Sequence, residues 1–513
     1  MPQNPVVIIG AGVGGLVAAI ALAARGLPVT ILEKEAKPGG KMRELSVGDA
    51  MIDAGPTVFT MKWVFDELFE GFGARFEDEV TLQRAEVLAR HAWSADERLD
   101  LYADVERSVE AVTRFSGPAE GERFRGFCNR TAEVYRTLEG PFLRASRPTI
   151  LSLHQRVGWR RWPELLRLRP LSTLWGALGS HFTAPRLRQL YGRYATYCGS
   201  SPFQAAATLM IVAHVEQDGV WLVVGGMARL ADALSRVAQR LGVTIRCRSH
   251  VDTILTQDGR ASGVVLAGGE TIPARAVIAN CDAQAVAGGC LGKAVSGAVR
   301  PVPEAARSLS AMAWTFKAQA RGFPLARHTV FFSRDYAREF DQIFRQRRLP
   351  EDPTVYLCAQ DRDGTVSARA EGAERLLCLV NAPASGDRHE FDAAEIQQCQ
   401  ERTLAQLERC GLTLSVDPSA SVMTTPSDFN RLFPATGGAL YGRASHGWMA
   451  SFQRPDSRTA LPGLYLAGGS IHPGPGVPMA ALSGRLAASS VLSDFASIRS
   501  FHPVVMSGGM STA

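Results

Sequence analysis

The stretch from Pro5 to Glu33 constrains this chain more than any other. Pro5-Val-Val-Ile-Ile9 is a short, β-branched apolar run of the kind a parallel sheet buries on both faces. It enters Gly10-Ala-Gly12-Val-Gly14-Gly15, and Leu16–Arg25, rich in Ala and Leu, reads as a helix closed by Gly26. Pro28–Glu33 reads as a second strand. The order is that of a βαβ dinucleotide fingerprint. Gly10 permits the tight turn, Gly12 lets backbone approach a pyrophosphate, and Gly15 lets helix pack on strand. The helix N-terminus offers unpaired N–H groups and partial positive charge to phosphate. Glu33 stands 23 residues after Gly10, where an acid can accept from ribose hydroxyls. The fingerprint alone does not separate NAD from FAD.

A second glycine pair does. Pro38-Gly39-Gly40-Lys41-Met42-Arg43 is followed by Asp53-Ala-Gly55-Pro56-Thr57, and such a segment can bring backbone and positive charge to a pyrophosphate from its other side. This pattern resembles the flavin amine oxidase and carotenoid desaturase superfamily. The resemblance implies FAD and places Gly40, Lys41, Arg43, Gly55 and Thr57 among its contacts. Lys41 stands where those proteins usually carry Arg, a point charge in place of a planar fork. Further along, Gly225-Gly226 leads into Met227–Leu241, whose apolar residues keep helical spacing. Val243–Arg246 and Val251–Leu255 read as strands before the Asp258-Gly259 turn, and Gly263–Leu266 and Ala276–Ala279 are expected to continue the same sheet. On residue type Val251 is a core strand residue; the resemblance implies that its backbone meets the adenosine part of FAD.

Leu464–Ala467 is another apolar strand, entering Gly468-Gly469-Ser470-Ile471-His472-Pro473-Gly474-Pro475-Gly476-Val477-Pro478-Met479, with a helix expected from Ala480 to about Ser493. The HPGxGVP form is similar to the bacterial-type carotenoid desaturases related to phytoene desaturase, and the similarity runs through nearly the whole chain. Within that group, DAGPTVFTMKWVFDELF and HAWSADERLDLYADVERS are most like enzymes of the spheroidene branch that 3,4-desaturate 1-hydroxycarotenoids. The resemblance implies an α/β fold, a Rossmann-type FAD-binding domain with inserted substrate and helical membrane-facing regions. It implies contacts to the flavin end from Gly468, Gly469, Val477, Pro478 and Met479. The reaction implied is loss of hydride to flavin from a saturated C–C bond beside a polyene, and of a proton from the adjacent carbon. The substrate implied is 1-hydroxyneurosporene or a related 1-hydroxycarotenoid. His472 and Asp428 fall in segments that approach the flavin. Either could take the proton, or His472 could brace its turn and Asp428 cap or pair structurally. Gly437-Gly438 and Tyr441 could shape the channel or form a plain turn. The alternatives are a phytoene desaturase or carotenoid isomerase of the same fold, and a non-catalytic flavoprotein. A flavin amine or porphyrinogen oxidase is a further alternative, against which the HPGPGVP run argues.

Composition narrows the partners. The chain has 513 residues and a formal charge of +6, too small an excess for a general nucleic-acid binder. Nine cysteines without CxxC spacing, and histidines without ligand spacing, give no reason to expect a disulfide framework or a metal. The apolar run Leu16–Ala24 is far short of the ~20 residues that span a bilayer, and no leader pattern precedes Val6. The expectation is a cytoplasmic protein, peripherally membrane-associated through the Trp-, Leu- and Arg-rich stretch Arg156–Arg169, whose alternative is an ordinary surface helix pair. The reduced flavin would pass electrons to oxygen or a quinone, since no second NAD fingerprint appears. The expected division is a discontinuous FAD-binding domain from 1–90, 220–300 and 420–498, a substrate-binding and helical membrane-facing region from 91–219 and 301–419, and a flexible tail at 499–513.

Overall fold

The computed structural model describes residues 4–146, 149, 172–365 and 372–501. The stretch Arg156–Arg169 therefore lies outside the described residues. Two sheets organise the rest. The first is fully parallel, in the order Leu464–Leu466, Ala276–Ala279, Val6–Ile9, Val29–Leu32, Thr244–Arg246. Its central strand, VVII, is buried along its whole length, as a strand covered on both faces must be. One face is covered by the first helix (Val13–Ala23), by Ala228–Arg240 and by the C-terminal helix (Val477–Phe501). That last helix runs beyond Ser493, where the sequence pattern suggested it would end, and into the stretch expected to be a tail.

The strands at Val251 and Gly263 do not continue the parallel sheet. Val251–Gln257, Arg260–Leu266 and Thr271–Pro273 form a separate antiparallel sheet that covers its other face. The reason is the turn between them: Asp258 and Gly259 both have positive φ (50° and 71°), which reverses the chain tightly and pairs the two strands with each other.

The second large sheet has seven strands, in the order Thr413–Thr424, Ser310–Arg321, Glu374–Ala382, Val355–Ala359, His328–Phe331, Val87–Ala92, Arg98–Tyr102. Of its last two strands, Val87–Ala92 crosses the expected boundary at residue 90 and Arg98–Tyr102 lies in the region expected to be helical. They form a hairpin that extends the sheet through a parallel pairing with His328–Phe331. The face bearing Trp314, Phe316, Leu357 and Cys378 packs in one core with Cys399 and Leu407 of the helix Ala393–Arg409. By register, the opposite face carries Ala311, Ala313, Leu377, Leu379, Tyr356, Cys358 and His328. The helices Val105–Ser116, Pro118–Leu138, Leu174–His181, Pro185–Gly192 and Ile211–Asp218 build a further core beside the hairpin. Among the described residues no helix is long and apolar enough to cross a membrane.

Candidate functional site

The first glycine turn is fixed by backbone contacts on every side. Gly10 has φ +95° and donates to Leu32 O at 2.8 Å, and a Cβ there would meet Asn280 O at 2.8 Å. Gly12 is the N-cap of the first helix, with no side-chain cap and no acid in the first turn. Its N–H groups are thus left to an anion. A Cβ on Gly15 would stand 2.3 Å from Gly10 O, so helix and strand meet backbone to backbone. The second glycine turn lies directly on the first: Gly39 donates to Ala11 O at 2.9 Å, and a Cβ on Gly40 would be 3.1 Å from Gly12 Cα. The residues fit a pyrophosphate, because this open helix end is walled by bare backbone from two loops.

Glu33 is buried, 5% exposed; Oε2 accepts from Ala11 N at 2.7 Å and Oε1 from Glu35 N at 2.9 Å. Each oxygen keeps a further acceptor site for a ribose hydroxyl. Val251 lies nearby in sequence to Ser249, whose N–H donates to Glu33 O at 2.8 Å, while its own side chain is in the core. One residue here escaped the sequence reading. Asn280, closing the strand Ala276–Ala279, donates from Nδ2 to Gly10 O at 3.1 Å. Its side chain also lies within 3.0 Å of where Cβ atoms on Gly12, Gly14 and Gly15 would sit. The available signal was a polar residue ending an all-apolar strand.

The Lys41 carbonyl is what Gly55 packs on: a Cβ at Gly55 would be 1.8 Å from Lys41 O. The Lys41 ammonium donates to Leu440 O and lies 5.0 Å from the ring centre of Phe433. Burial holds its pKa below the usual range, with Asp282 opposing. Arg43 donates to Thr424 Oγ1 at 3.3 Å and stacks 5.8 Å over Phe429. Burial lowers its pKa too, against the pull of Asp428 and Glu35. Thr57 Oγ1 is 2.6 Å from Tyr356 OH, which is 2.8 Å from His328 Nδ1. Asp53, from the same segment, accepts from Met227 N at 2.7 Å and Ala228 N at 3.3 Å and so caps the helix Ala228–Arg240.

At the C-terminal turn Gly468 donates to Ser483 Oγ at 2.7 Å, and a Cβ on Gly14 would be 3.0 Å from both Gly468 N and Ala480 O. Gly469, Val477, Pro478 and Met479 run from that turn into the start of the C-terminal helix, so the two helix N-termini converge with the glycine loops between them. The two acid–base candidates are each held by structural hydrogen bonds, with Nδ1 of His472 left without a partner among the described residues. Nε2 of His472 lies 3.0 Å from Phe142 O and 2.9 Å from Ala145 O, so this nitrogen carries the proton and donates. Burial brings its pKa down to about 4, and the ring braces the turn against the segment Glu139–Leu143. Asp428 accepts from Thr425 N at 2.8 Å and from Arg431, completing a capping box on Pro426–Leu432. Burial is the largest single influence and pushes its carboxylate up, but the hydrogen bonds from Thr425 and Arg431 with the Arg431 charge together outweigh it and hold the group below the usual range. The structure thus gives His472 a bracing role through Nε2 and Asp428 a capping role.

Opposite these loops stands an apolar wall. Tyr356, Leu379, Leu432, Phe433 and Leu440 are partly exposed and pack on buried Ala311, Ala313, Cys358, Leu377 and Phe429. Beside it, Gly199 packs on Tyr441 and Ser308, ending the turn Arg193–Cys198. That turn brings Arg193, Tyr194 and Tyr197 to Glu216, whose two oxygens accept from Tyr194 OH at 3.0 Å and Tyr197 OH at 3.1 Å. Nothing in the sequence pattern marked this buried polar cluster.

The comparisons with known proteins agree with this geometry. The model of the family described as flavin containing amine oxidoreductase matches residues 13–492. The hydroxyneurosporene desaturase of Rubrivivax gelatinosus is 55% identical over 99% of this chain and 97% of its own. That of Cereibacter sphaeroides is 45% identical over 96% and 98%. Among solved structures, wild-type putrescine oxidase bound to putrescine shares the fold, with a TM-score of 0.60 at 16% identity over 96% of this chain and 99% of that one. The chain belongs to the flavin containing amine oxidoreductases, an FAD-dependent oxidoreductase from the branch that includes the hydroxyneurosporene desaturases.

Proposed function

We propose that this protein desaturates a 1-hydroxycarotenoid, 1-hydroxyneurosporene or a close relative, between C3 and C4. The identity to hydroxyneurosporene desaturases along almost the whole chain carries the reading, and the wall of Leu379, Leu432, Phe433, Leu440 and Tyr356 supports it, because it suits a long apolar polyene. FAD, once bound, supplies the hydride acceptor. Gly10, Gly12 and Gly15 with Gly40 would cradle its pyrophosphate, and Glu33 its ribose. The backbone at Val251 would meet its adenosine part. Lys41, Arg43, Gly55 and Thr57, with Gly468, Gly469, Val477, Pro478 and Met479, would surround the flavin end. The residues' own work is orientation: one bond of a featureless chain must be presented, and water kept away.

The cofactor-binding part is drawn from 1–90, 220–300 and 420–498, and the substrate part from 91–219 and 301–419. A substrate that dissolves in lipid favours a cytoplasmic protein that rests on a membrane surface and reoxidises with oxygen or a quinone. The test is to incubate FAD-loaded protein in liposomes with 1-hydroxyneurosporene and, in parallel, with phytoene, following absorption and product mass. A red shift and loss of two hydrogens from the hydroxylated substrate alone is the expected result. Conversion of phytoene instead would move the protein to an earlier desaturation.

A further inference from the structure

A hydroxyl buried in an apolar channel must both donate and accept, or its desolvation goes uncompensated. Several buried side-chain polar atoms have no partner among the described residues, and two of them belong to Arg193 and His328, which lie close enough for the Arg193 charge to act on the His328 ring. Arg193 is 7% exposed; its Nη2 donates to Tyr197 OH at 3.2 Å, and its Nε has no partner. His328 is 3% exposed; its Nδ1 is engaged by Tyr356 OH, and its Nε2 has no partner. Strand register puts His328 and Tyr356 on the sheet face that carries the apolar wall. Buried groups of this kind are rarely left open in a folded protein without a reason.

We propose that Arg193 and His328 are specificity-determining residues that together grip the hydroxyl of the substrate, Arg193 Nε–H donating to its oxygen and His328 Nε2 accepting its proton. This rests on the reading of the substrate as a 1-hydroxycarotenoid. The bonding then closes without a gap. With Nε2 accepting, His328 Nδ1–H donates to Tyr356, and the Tyr356 hydroxyl donates to Thr57 Oγ1, 2.6 Å away. Burial first, then the charges of Arg327 and Arg193, hold His328 neutral, its pKa down to about 3, as an acceptor must be. Glu216 beside them accepts one hydrogen bond on each oxygen, from Tyr194 and Tyr197.

A grip on that hydroxyl would also restrict which bond can react. C1 is two bonds from C3, so a grip on the C1 oxygen leaves the 3,4 bond little freedom to slide. The relay ends on Thr57, in the same segment as Gly55, which packs on the second glycine loop. A polyene without the hydroxyl would leave both Arg193 Nε and His328 Nε2 unpaired, and sites of this design reject such analogues by several orders of magnitude.

The test compares 1-hydroxyneurosporene, neurosporene and the 1-methoxy ether as substrates for the FAD-loaded wild type, His328→Leu, Arg193→Met and Arg193→Lys, reading kcat/KM, FAD content and melting temperature. The wild type should prefer the alcohol over neurosporene by at least about 100-fold. His328→Leu and Arg193→Met should each cut that preference about 10-fold or more by losing activity on the alcohol alone, with Arg193→Lys restoring part of it. The ether accepts but cannot donate, so the wild type should use it about 10-fold or more worse than the alcohol, a readout that needs no variant to fold. An unchanged preference in the folded variants, or equal use of ether and alcohol, would overturn the assignment while leaving the desaturase reading intact. A wild type that converts none of the three would overturn both.

Discussion

The first and C-terminal helices touch through glycine, and that contact can be put to a quantitative test. A Cβ on Gly484 would stand 2.2 Å from Gly14 O and 3.1 Å from both Gly14 C and Ala18 N. All three obstacles are backbone, so no rotamer change can relieve them. Ordinary contact begins near 3.4 Å; Gly484→Ala therefore requires the helices to part by about 1 Å along that line. Overpacking of a core costs about 1–3 kcal/mol, and the absence of any flexible neighbour puts this site at the upper end. The displacement falls on Gly14, between the helix end that faces the phosphates and the turn at Gly468. We expect a melting temperature lower by several degrees and at least about a tenfold rise in the FAD dissociation constant, measured by thermal denaturation and flavin titration. Gly126→Ala is the matched control, also within a helix but with nothing within 4 Å of the added methyl. It should be neutral or stabilising by up to about 1 kcal/mol. If Gly484→Ala melts and binds flavin like that control, the argument from close approach is wrong.

Asn280→Ala removes the side chain that ties Gly10 O to the sheet and should weaken FAD binding about tenfold while leaving secondary structure intact, as flavin titration and circular dichroism would show. Asp428→Ala should cost about 1 kcal/mol of stability as a lost cap yet keep kcat within about threefold; a collapse of turnover in folded protein would restore Asp428 as a base. Glu339, with Ser333 and Thr354 as its donors, is pushed up by burial to about 7. A raised acid favours the protonated folded state, so its contribution is complete below 4.5 and is lost as pH rises through 7. Denaturant titrations at pH 6 and 8.5 should show a loss of about 1.4 kcal/mol that Glu339→Gln largely abolishes. His328 and His472 act in the opposite sense: their lowered pKa values, about 3 and about 4, give stability present above 6.5 and lost as pH falls toward 4, visible as a falling melting temperature.

The parts legible in sequence are those where local chemistry decides the structure. Val6–Ile9, the turn from Gly10 to Gly15 and the helix after it leave the backbone few alternatives, and the close contacts at Gly15 and Gly55 explain why glycine stands there. Sheet membership after Val251 was not legible because a β-branched run looks the same in a parallel and an antiparallel sheet; the Asp258-Gly259 turn pairs Val251–Gln257 with Arg260–Leu266 in a sheet of their own. The hairpin Val87–Tyr102 was hidden for another reason. Its partner, His328–Phe331, lies more than 200 residues away, and pairing across that distance leaves no local trace. Arg193, Glu216, His328 and Tyr356 meet only through tertiary packing, and each alone resembles a residue of an ordinary core.

The order of the parallel sheet has a consequence for how the protein is made. Val6–Ile9 lies at its centre, yet its neighbours are Val29–Leu32 on one side and Ala276–Ala279 on the other, and the edge strand Leu464–Leu466 is synthesised last. A ribosome adding about 5–20 residues per second leaves the VVII strand without its second partner for tens of seconds, and the helix that packs on Gly14 missing for longer. During that interval an apolar strand edge is open to other chains. Yield in a heterologous host should therefore respond more to chaperone supply and translation speed than to flavin supply, because the dinucleotide cleft is complete only after the last 50 or so residues have emerged.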